Sequence, residues 1–262
     1  LTLTPLPLPR VRALSLLTDE GSSVRDVADL VEGDPGLTAA VLRAANSVIS
    51  APRSRVRTAG QAIVRIGLGA TRRIVTGAVA GNAFDNLQRS GVDVDALWRH
   101  LIGTALIAGT VARVGDGATD AFTSGLLHDL GRMAMASRDP NRYARIASLA
   151  RRGVPVSEAE YLMYGANHAQ VGADLAEAWR LPEEVVEAIG SHHDADPKPG
   201  LCAAVARARQ VAVRLGLGDG VVPPPPPDAA TAEDDAAIVR ELRGARALMS
   251  RIEWYREAIQ QI

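Results

Sequence analysis

The 262-residue sequence contains one cysteine, Cys202, and one lysine, Lys198, and only 3% of it is aromatic. A single cysteine excludes an internal disulfide framework, so the fold must be held by packing. No run of 18 or more apolar residues occurs, which excludes an ordinary membrane-spanning helix and predicts a cytoplasmic protein. Few aromatic rings leave little for stacking on bases, and a formal net charge of −1 supplies no general attraction to a phosphate backbone. Nucleic acid is therefore not an expected partner. The opening "LTLTPLPLPR" has neither an initiator Met nor a signal-peptide layout, which is the expectation for a piece excised from a longer protein.

Hydrophobic residues make up 47% of the chain, enough for one large core or two modest ones. No segment alternates with period 2, whereas helix punctuation recurs throughout, so the sequence predicts an all-α protein. Ser23 with Asp26 forms a capping box that Gly33 closes, and Asp34 caps the next helix with Pro35 in its first turn. Thr58 with Gln61, and Ser157 with Glu160, read as further capping boxes, and Asp139 with Pro140 starts another helix. Helices are expected from about Ala70 to Leu87, from Asp93 onward, and as one unit through "TSGLLHDLGRMAMA". After "PPPPP" at 223–227, a stiff spacer, a last helical stretch runs from about Ala232 to Ile262. Ile238, Leu242, Ala245 and Met249 form one apolar stripe on it. That stripe predicts packing back on the preceding lobe, with homodimerisation as the alternative.

The five histidines, His100, His128, His168, His192 and His193, fall on segments that read as different helices, and Asp129 adjoins His128. Helical proteins build metal sites by aiming side chains from several helices at one point, and imidazoles with a carboxylate suit zinc, iron or manganese. One histidine on an apolar helix is usually a satisfied core or surface residue; five are harder to dismiss. His192 and His193 project about 100° apart if helical, so both serve one site only if it holds two ions or the helix ends there. A second feature spans 50–84, with Arg53, Arg55, Arg57, Arg65, Arg72 and Arg73 and no acidic residue. Such a run can meet an acidic protein, a nucleotide or a nucleic-acid backbone, although a solvated face balanced by carboxylates elsewhere is the ordinary case.

Taken in order, "LPLPRVRALSLLTDEGSSVRDVADLVEGDPGLTAAVLRAANS", "QAIVRIGLGATRRIV", "LWRH", "GLLHDLGRM" and "NHAQVGADLAEAWRLPEEVVEAIGSHH" resemble the HDOD family, regulatory relatives of the HD phosphohydrolases. The resemblance covers roughly residues 5 to 217. It implies an N-terminal helical lobe (1–90) packed on an HD-like lobe (91–220), followed by the proline-rich spacer and C-terminal helix (221–262). It also implies a non-catalytic bacterial signal-transduction module that acts through protein or ligand binding, with signalling proteins as partners and no required cofactor.

Against the pattern of active HD-GYP phosphodiesterases, His100, His128, Asp129, His168, His192 and His193 match ligand positions. Ala96 stands where that pattern has a glutamate ligand, Arg132 replaces its lysine, and "HHDADPKPG" lacks the Gly-Tyr-Pro element although Asp194 supplies a carboxylate. Arg209 falls where the last ligand aspartate would lie. A guanidinium cannot coordinate a metal. The resemblance therefore implies a degenerate centre with at most a residual divalent ion (Fe, Mn or Zn), and Arg209 joins the arginine run as a candidate binding residue. The alternative is a metal-dependent phosphohydrolase acting on a cyclic dinucleotide or another phosphoester.

Overall fold

The computed structural model describes residues 8–19, 21–47, 55–112, 118–224 and 232–260, and every regular element among them is helical. These residues divide into two units. One takes the described residues up to Ala83 with those from Ser250 on, and the other runs from Phe84 to Met249.

The first unit contains α1 (Leu8–Thr18), α2 (Val24–Glu32), α3 (Pro35–Asn46), α4 (Ala59–Ile66) and α5 (Leu68–Gly81). The predicted N-caps are present, although the Thr58 box is only half formed because Gln61 Oε1 accepts from Arg57 N rather than from Thr58 N. Ser23 and Asp26 complete a reciprocal box, Asp34 accepts from Gly36 and Leu37, and Thr58 accepts from Gln61. Helix α5 stops at Gly81 rather than near Leu87, because Asn82 caps it. Leu14, Val27, Val31, Ala40, Val41, Ile74 and Val75 form the core. Arg53 lies outside the described residues.

The second unit contains α6 (Val94–Val111), α7 (Ala118–Leu127), α8 (Leu130–Arg138), α9 (Pro140–Arg151), α10 (Val156–Tyr164), α11 (His168–Ala178), α12 (Glu183–Gly190), α13 (Leu201–Arg214) and α14 (Ala232–Glu241). Helix α15 (Ala245–Gln260) begins here and ends in the first unit.

Three further expectations are corrected. The final helix is broken: Arg243 and Gly244 adopt positive φ, and Gly244 N–H reaches back to Val239 O, a Schellman stop that separates α14 from α15. The predicted stripe is split as a result, with Leu242 buried and Ala245 exposed. Asp235 of α14 pairs with Arg207 and Arg214 of α13, whereas Trp254 of α15 donates to Ala44 O and Ser47 Oγ and Arg43 donates to Ala258 O. Secondly, Ser157 and Glu160 do not form a capping box. Helix α10 begins at Val156 with Pro155 as its N-cap, two residues before the predicted cap, and Glu160 is buried.

Thirdly, "GLLHDLG" is not one helix but the junction of α7 and α8, broken at His128 and Asp129. The glycines on either side allow neighbouring helices to close on that junction. A Cβ on Gly125 would lie 2.8 Å from Ala105 Cα of α6, and one on Gly131 would overlap the His168 carbonyl oxygen and stand 2.5 Å from Gly172 N of α11. Replacing Gly131 by Ala must push α8 and α11 apart, so Gly131→Ala is expected to destabilise the protein by about 3 kcal/mol or more in urea unfolding. A loss below 1 kcal/mol would show that this approach tolerates a methyl group (about the size of an ordinary surface effect).

Candidate metal centre

Each of the six predicted ligand residues reaches one place. His100 comes from the second turn of α6, His128 and Asp129 from the α7–α8 break, His168 from the first turn of α11, and His192 and His193 from the turn after α12. Because α12 ends at Gly190, the neighbours His192 and His193 are released from helical divergence and both turn toward His168. Two donor groups result, Asp129 with His168, His192 and His193, and Asp129 with His100 and His128. Asp129 is common to both. All these residues are buried except His193, which is exposed at the rim.

The hydrogen bonds behind the rings decide which nitrogen faces inward. His100 Nδ1 lies 2.9 Å from Leu217 O, His128 Nδ1 2.8 Å from Gly125 O, and His192 Nδ1 2.6 Å from Ile189 O. A carbonyl oxygen only accepts, so each Nδ1 carries the proton and each Nε2 presents a lone pair to the centre. His168 Nδ1 is held at 2.5 Å by Glu160 Oε2, which also accepts from the His168 backbone N–H, while Tyr143 donates to Glu160 Oε1. Nε2 atoms then crowd together: 3.1 Å between His100 and His128, 3.3 Å between His192 and His168, and 2.8 Å between His168 and His193. Lone pairs at such distances repel unless a cation or a proton lies between them. Outer partners that fix the tautomer in this way are the usual setting of metal-bound histidine.

Asp129 sharpens this. Its Oδ1 lies 3.1 Å from His168 Nε2 and 3.4 Å from Arg132 Nη2, its Oδ2 3.7 Å from His128 Nε2, and neither oxygen has a well-aligned hydrogen bond. A fully buried carboxylate in that state is unfavourable without a cation beside it. The residues present therefore fit a divalent ion of the zinc, iron or manganese class, held by Asp129 and inward-facing imidazoles.

Charge around the centre is carried by Arg132, which the resemblance puts at the lysine of the active-enzyme pattern, and by groups the sequence reading did not assign to it. Arg132, fully buried, pairs with Asp219 at 2.7 Å, and Asp219 in turn accepts from Val221 N and Val222 N. Gly220, with positive φ, fits this loop against the start of α6, where Asp93 N–H donates to its carbonyl. Leu217 O and Asp219 are positioned by that contact. Glu160 and Tyr143 form a second buried pair. Their only sequence signals were a carboxylate eight residues before His168 and an aspartate in a Gly-rich loop, patterns that read equally well as a cap and a turn. Ala96 brings no ligand; its backbone N–H is capped by Asp93.

Burial pushes His128 down to about 3 and holds His100 and His192 below the ordinary histidine range. It disfavours the charged form of His168 as well, but Glu160 and Asp129 together outweigh it and raise that ring. Burial likewise opposes ionisation of Asp129, yet Arg132, His128 and His168 together hold its carboxyl well below the usual carboxylate range.

Arg209 on α13 faces the same centre: its charge acts on His193, His100 and His128. The other predicted arginines lie in the first unit. Arg55 and Arg57 are exposed, Arg65 and Arg73 half-buried, and Arg72 is committed to Ser22 through its carbonyl and hydroxyl, both at 2.6 Å. Arg55 and Arg65 line a shallow groove with Val56, Gly60, Gln61 and Val64, the last 82% exposed.

A model of the HDOD domain matches residues 3–195. The chain belongs to the HDOD family. An uncharacterized curated protein of Treponema pallidum (strain Nichols) is 29% identical over 178 residues, which is 66% of this chain and 34% of that protein; the chain spans about a third of the length of the curated relative it matches. Among solved structures, a protein of Shewanella amazonensis provisionally named a phosphohydrolase is 26% identical, with a TM-score of 0.73 over 98% of this HDOD chain and 93% of that one. An HDOD domain protein of unknown function from Geobacter sulfurreducens is 24% identical, with a TM-score of 0.75 over 100% of this chain and 94% of that one. The second likeness shows the all-α HDOD fold. No helix among the described residues is long and apolar enough to cross a membrane.

The buried imidazoles make metal-free protein acid-sensitive. In the unfolded chain His128 takes up a proton near pH 6.5, and in the folded chain only near 3, so between these values the unfolded state binds more protons and stability falls as pH falls. His168 acts oppositely, contributing stability at low pH that is lost as pH rises through its raised value. Between pH 6.5 and 5 His128 alone is expected to cost about 2 kcal/mol. Urea unfolding of chelator-treated protein checks this: His128→Gln should flatten the pH profile, and an unchanged slope would contradict the assignment.

Proposed function

We propose that this HDOD chain is a non-catalytic signal-transduction module whose HD-type centre holds a single divalent ion. The observation that carries this reading is the position of Arg209. The donor group of His100, His128 and Asp129 has three ligands, and the resemblance to active enzymes puts a fourth, a carboxylate, where this chain has a guanidinium whose charge acts on His100 and His128. A second ion there would lack its ligand and meet a fixed positive charge. Hydrolysis of a phosphodiester by paired ions needs one to activate water and another to stabilise the leaving oxygen. Asp129, His168, His192 and His193 hold the one ion, and Glu160 keeps His168 Nε2 turned toward it.

On this reading the ion orders the junction of α7, α8, α11 and α12, and the signal passes through contacts with partner proteins in a cytoplasmic setting. The groove of Arg55, Val56, Gln61, Val64 and Arg65 supports an acidic protein partner better than nucleic acid, since it combines arginines with exposed aliphatic surface and no aromatic ring. Self-association through the last helix is less well supported, because Leu248, Ile252, Tyr255 and Ile259 are buried within the chain.

The phosphohydrolase reading keeps one observation in its favour, the complete set of inward-facing Nε2 atoms. Metal analysis with a hydrolysis assay separates the two. Protein purified in metal-supplemented, chelator-free buffer is expected to carry about one ion per chain, to lose it on Asp129→Ala, and to leave bis(p-nitrophenyl) phosphate intact. Two ions per chain and turnover abolished by His128→Ala would establish the enzyme instead.

A further inference from the structure

Arg209 is half-buried on α13, its Nε is buried without a hydrogen-bond partner, and it makes no ion pair among the described residues. The carboxylates within its electrostatic reach are Asp129 and Asp219. Asp219 is occupied by Arg132 and by two backbone N–H groups, and Asp129 is aimed at the imidazoles. A guanidinium Nε removed from water and left without an acceptor is costly, and the planar fork it belongs to matches the oxygens of a phosphate or carboxylate. Exposed His193, on which the charge of Arg209 also acts, leaves this side of the centre open to solvent.

The balance of charge points the same way. Three carboxylates, Asp129, Glu160 and Asp219, stand against two guanidiniums, Arg132 and Arg209, so with neutral imidazoles the centre carries one excess negative charge. Binding one divalent ion converts that into one excess positive charge. An anion then restores neutrality, and Arg209, half-buried beside exposed His193 where Arg132 is enclosed, is a donor able to receive it from solvent.

We propose that the centre is an anion-binding site in which Arg209, standing where a second ion's ligand would be, takes the oxygens of a phosphate-type oxyanion. The second positive contact rests on the one-ion reading above; the contact with Arg209 does not. The ligand of this HDOD module is thus a phosphate or phosphomonoester bound without turnover, and its arrival is the chemical event that the module can report.

Calorimetric titration of inorganic phosphate into the whole chain, loaded with Mn2+ or freed of metal by chelator, tests this with Arg209→Gln and Arg209→Lys. Loaded wild type should bind phosphate, and Arg209→Gln should weaken binding about tenfold or more, the scale of a charged hydrogen bond. Arg209→Lys should fall between. Arg209→Gln should bind Mn2+ as tightly as wild type or more tightly, because a positive neighbour has gone, which separates loss of the anion site from loss of the fold. Equal phosphate affinity in wild type and Arg209→Gln overturns the proposal, as does failure of Mn2+-loaded wild type to bind phosphate. If wild type holds no Mn2+ while phosphate binding still depends on Arg209, the one-ion reading fails and the anion site stands; if phosphate is not bound either, both fail.

Discussion

Everything around the centre is arranged about a buried carboxylate that has no good donor. Asp129 is fully enclosed, its nearest guanidinium nitrogen is 3.4 Å away, and its nearest imidazole nitrogen lies 3.1 Å from it. A protein that merely needed to fill this space would place an apolar side chain here, since a buried unpaired charge is among the most destabilising features a core can contain. The surrounding residues reduce that cost in layers. Arg132 balances the charge at a distance, Asp219 holds Arg132, and backbone carbonyls orient three imidazoles so that their lone pairs, not their protons, face inward. Positive charge at the middle of such an arrangement would offset the cost that these layers leave.

The same geometry explains why glycine is needed on both sides of the His-Asp pair. Side chains from α6 and α11 meet Asp129 only if those helices approach the α7–α8 junction more closely than a methyl group permits, and Gly125 and Gly131 provide that room. Close helix packing and site chemistry are therefore one constraint. The break between α7 and α8 belongs to it too, because adjacent residues of an unbroken helix diverge by about 100°. The turn after α12 solves the same problem for His192 and His193.

Much of this was legible in the sequence. Helix starts at Ser23, Asp34, Thr58, Asp93 and Asp139 were readable because a cap is a local hydrogen bond between residues two or three apart. The histidines were readable because five of them on separate helices form a pattern that composition does not produce by itself. Glu160 was misread, since Ser-x-x-Glu is a capping box only when Ser157 is the N-cap; with the N-cap two residues earlier, Glu160 lies inside the helix and accepts from His168. Where the helix begins decides whether such a glutamate folds back on the N-terminus or projects from the second turn. Arg72 could not be distinguished from its neighbours for a similar reason: its partner, Ser22, is fifty residues away.

What the sequence determined by itself is the all-α class, the local helix boundaries set by caps and glycines, and the inventory of imidazoles, carboxylates and guanidiniums, Arg209 among them. Those follow from interactions within a few residues and from chemistry that does not depend on position. Tertiary structure alone decided which nitrogen each histidine presents, that Glu160, Tyr143 and Asp219 belong to the centre, that Arg209 lacks a partner, and that the last helix is two. Each of those depends on groups brought together from distant parts of the chain, and a hydrogen bond or an unpaired charge exists only once its surroundings do.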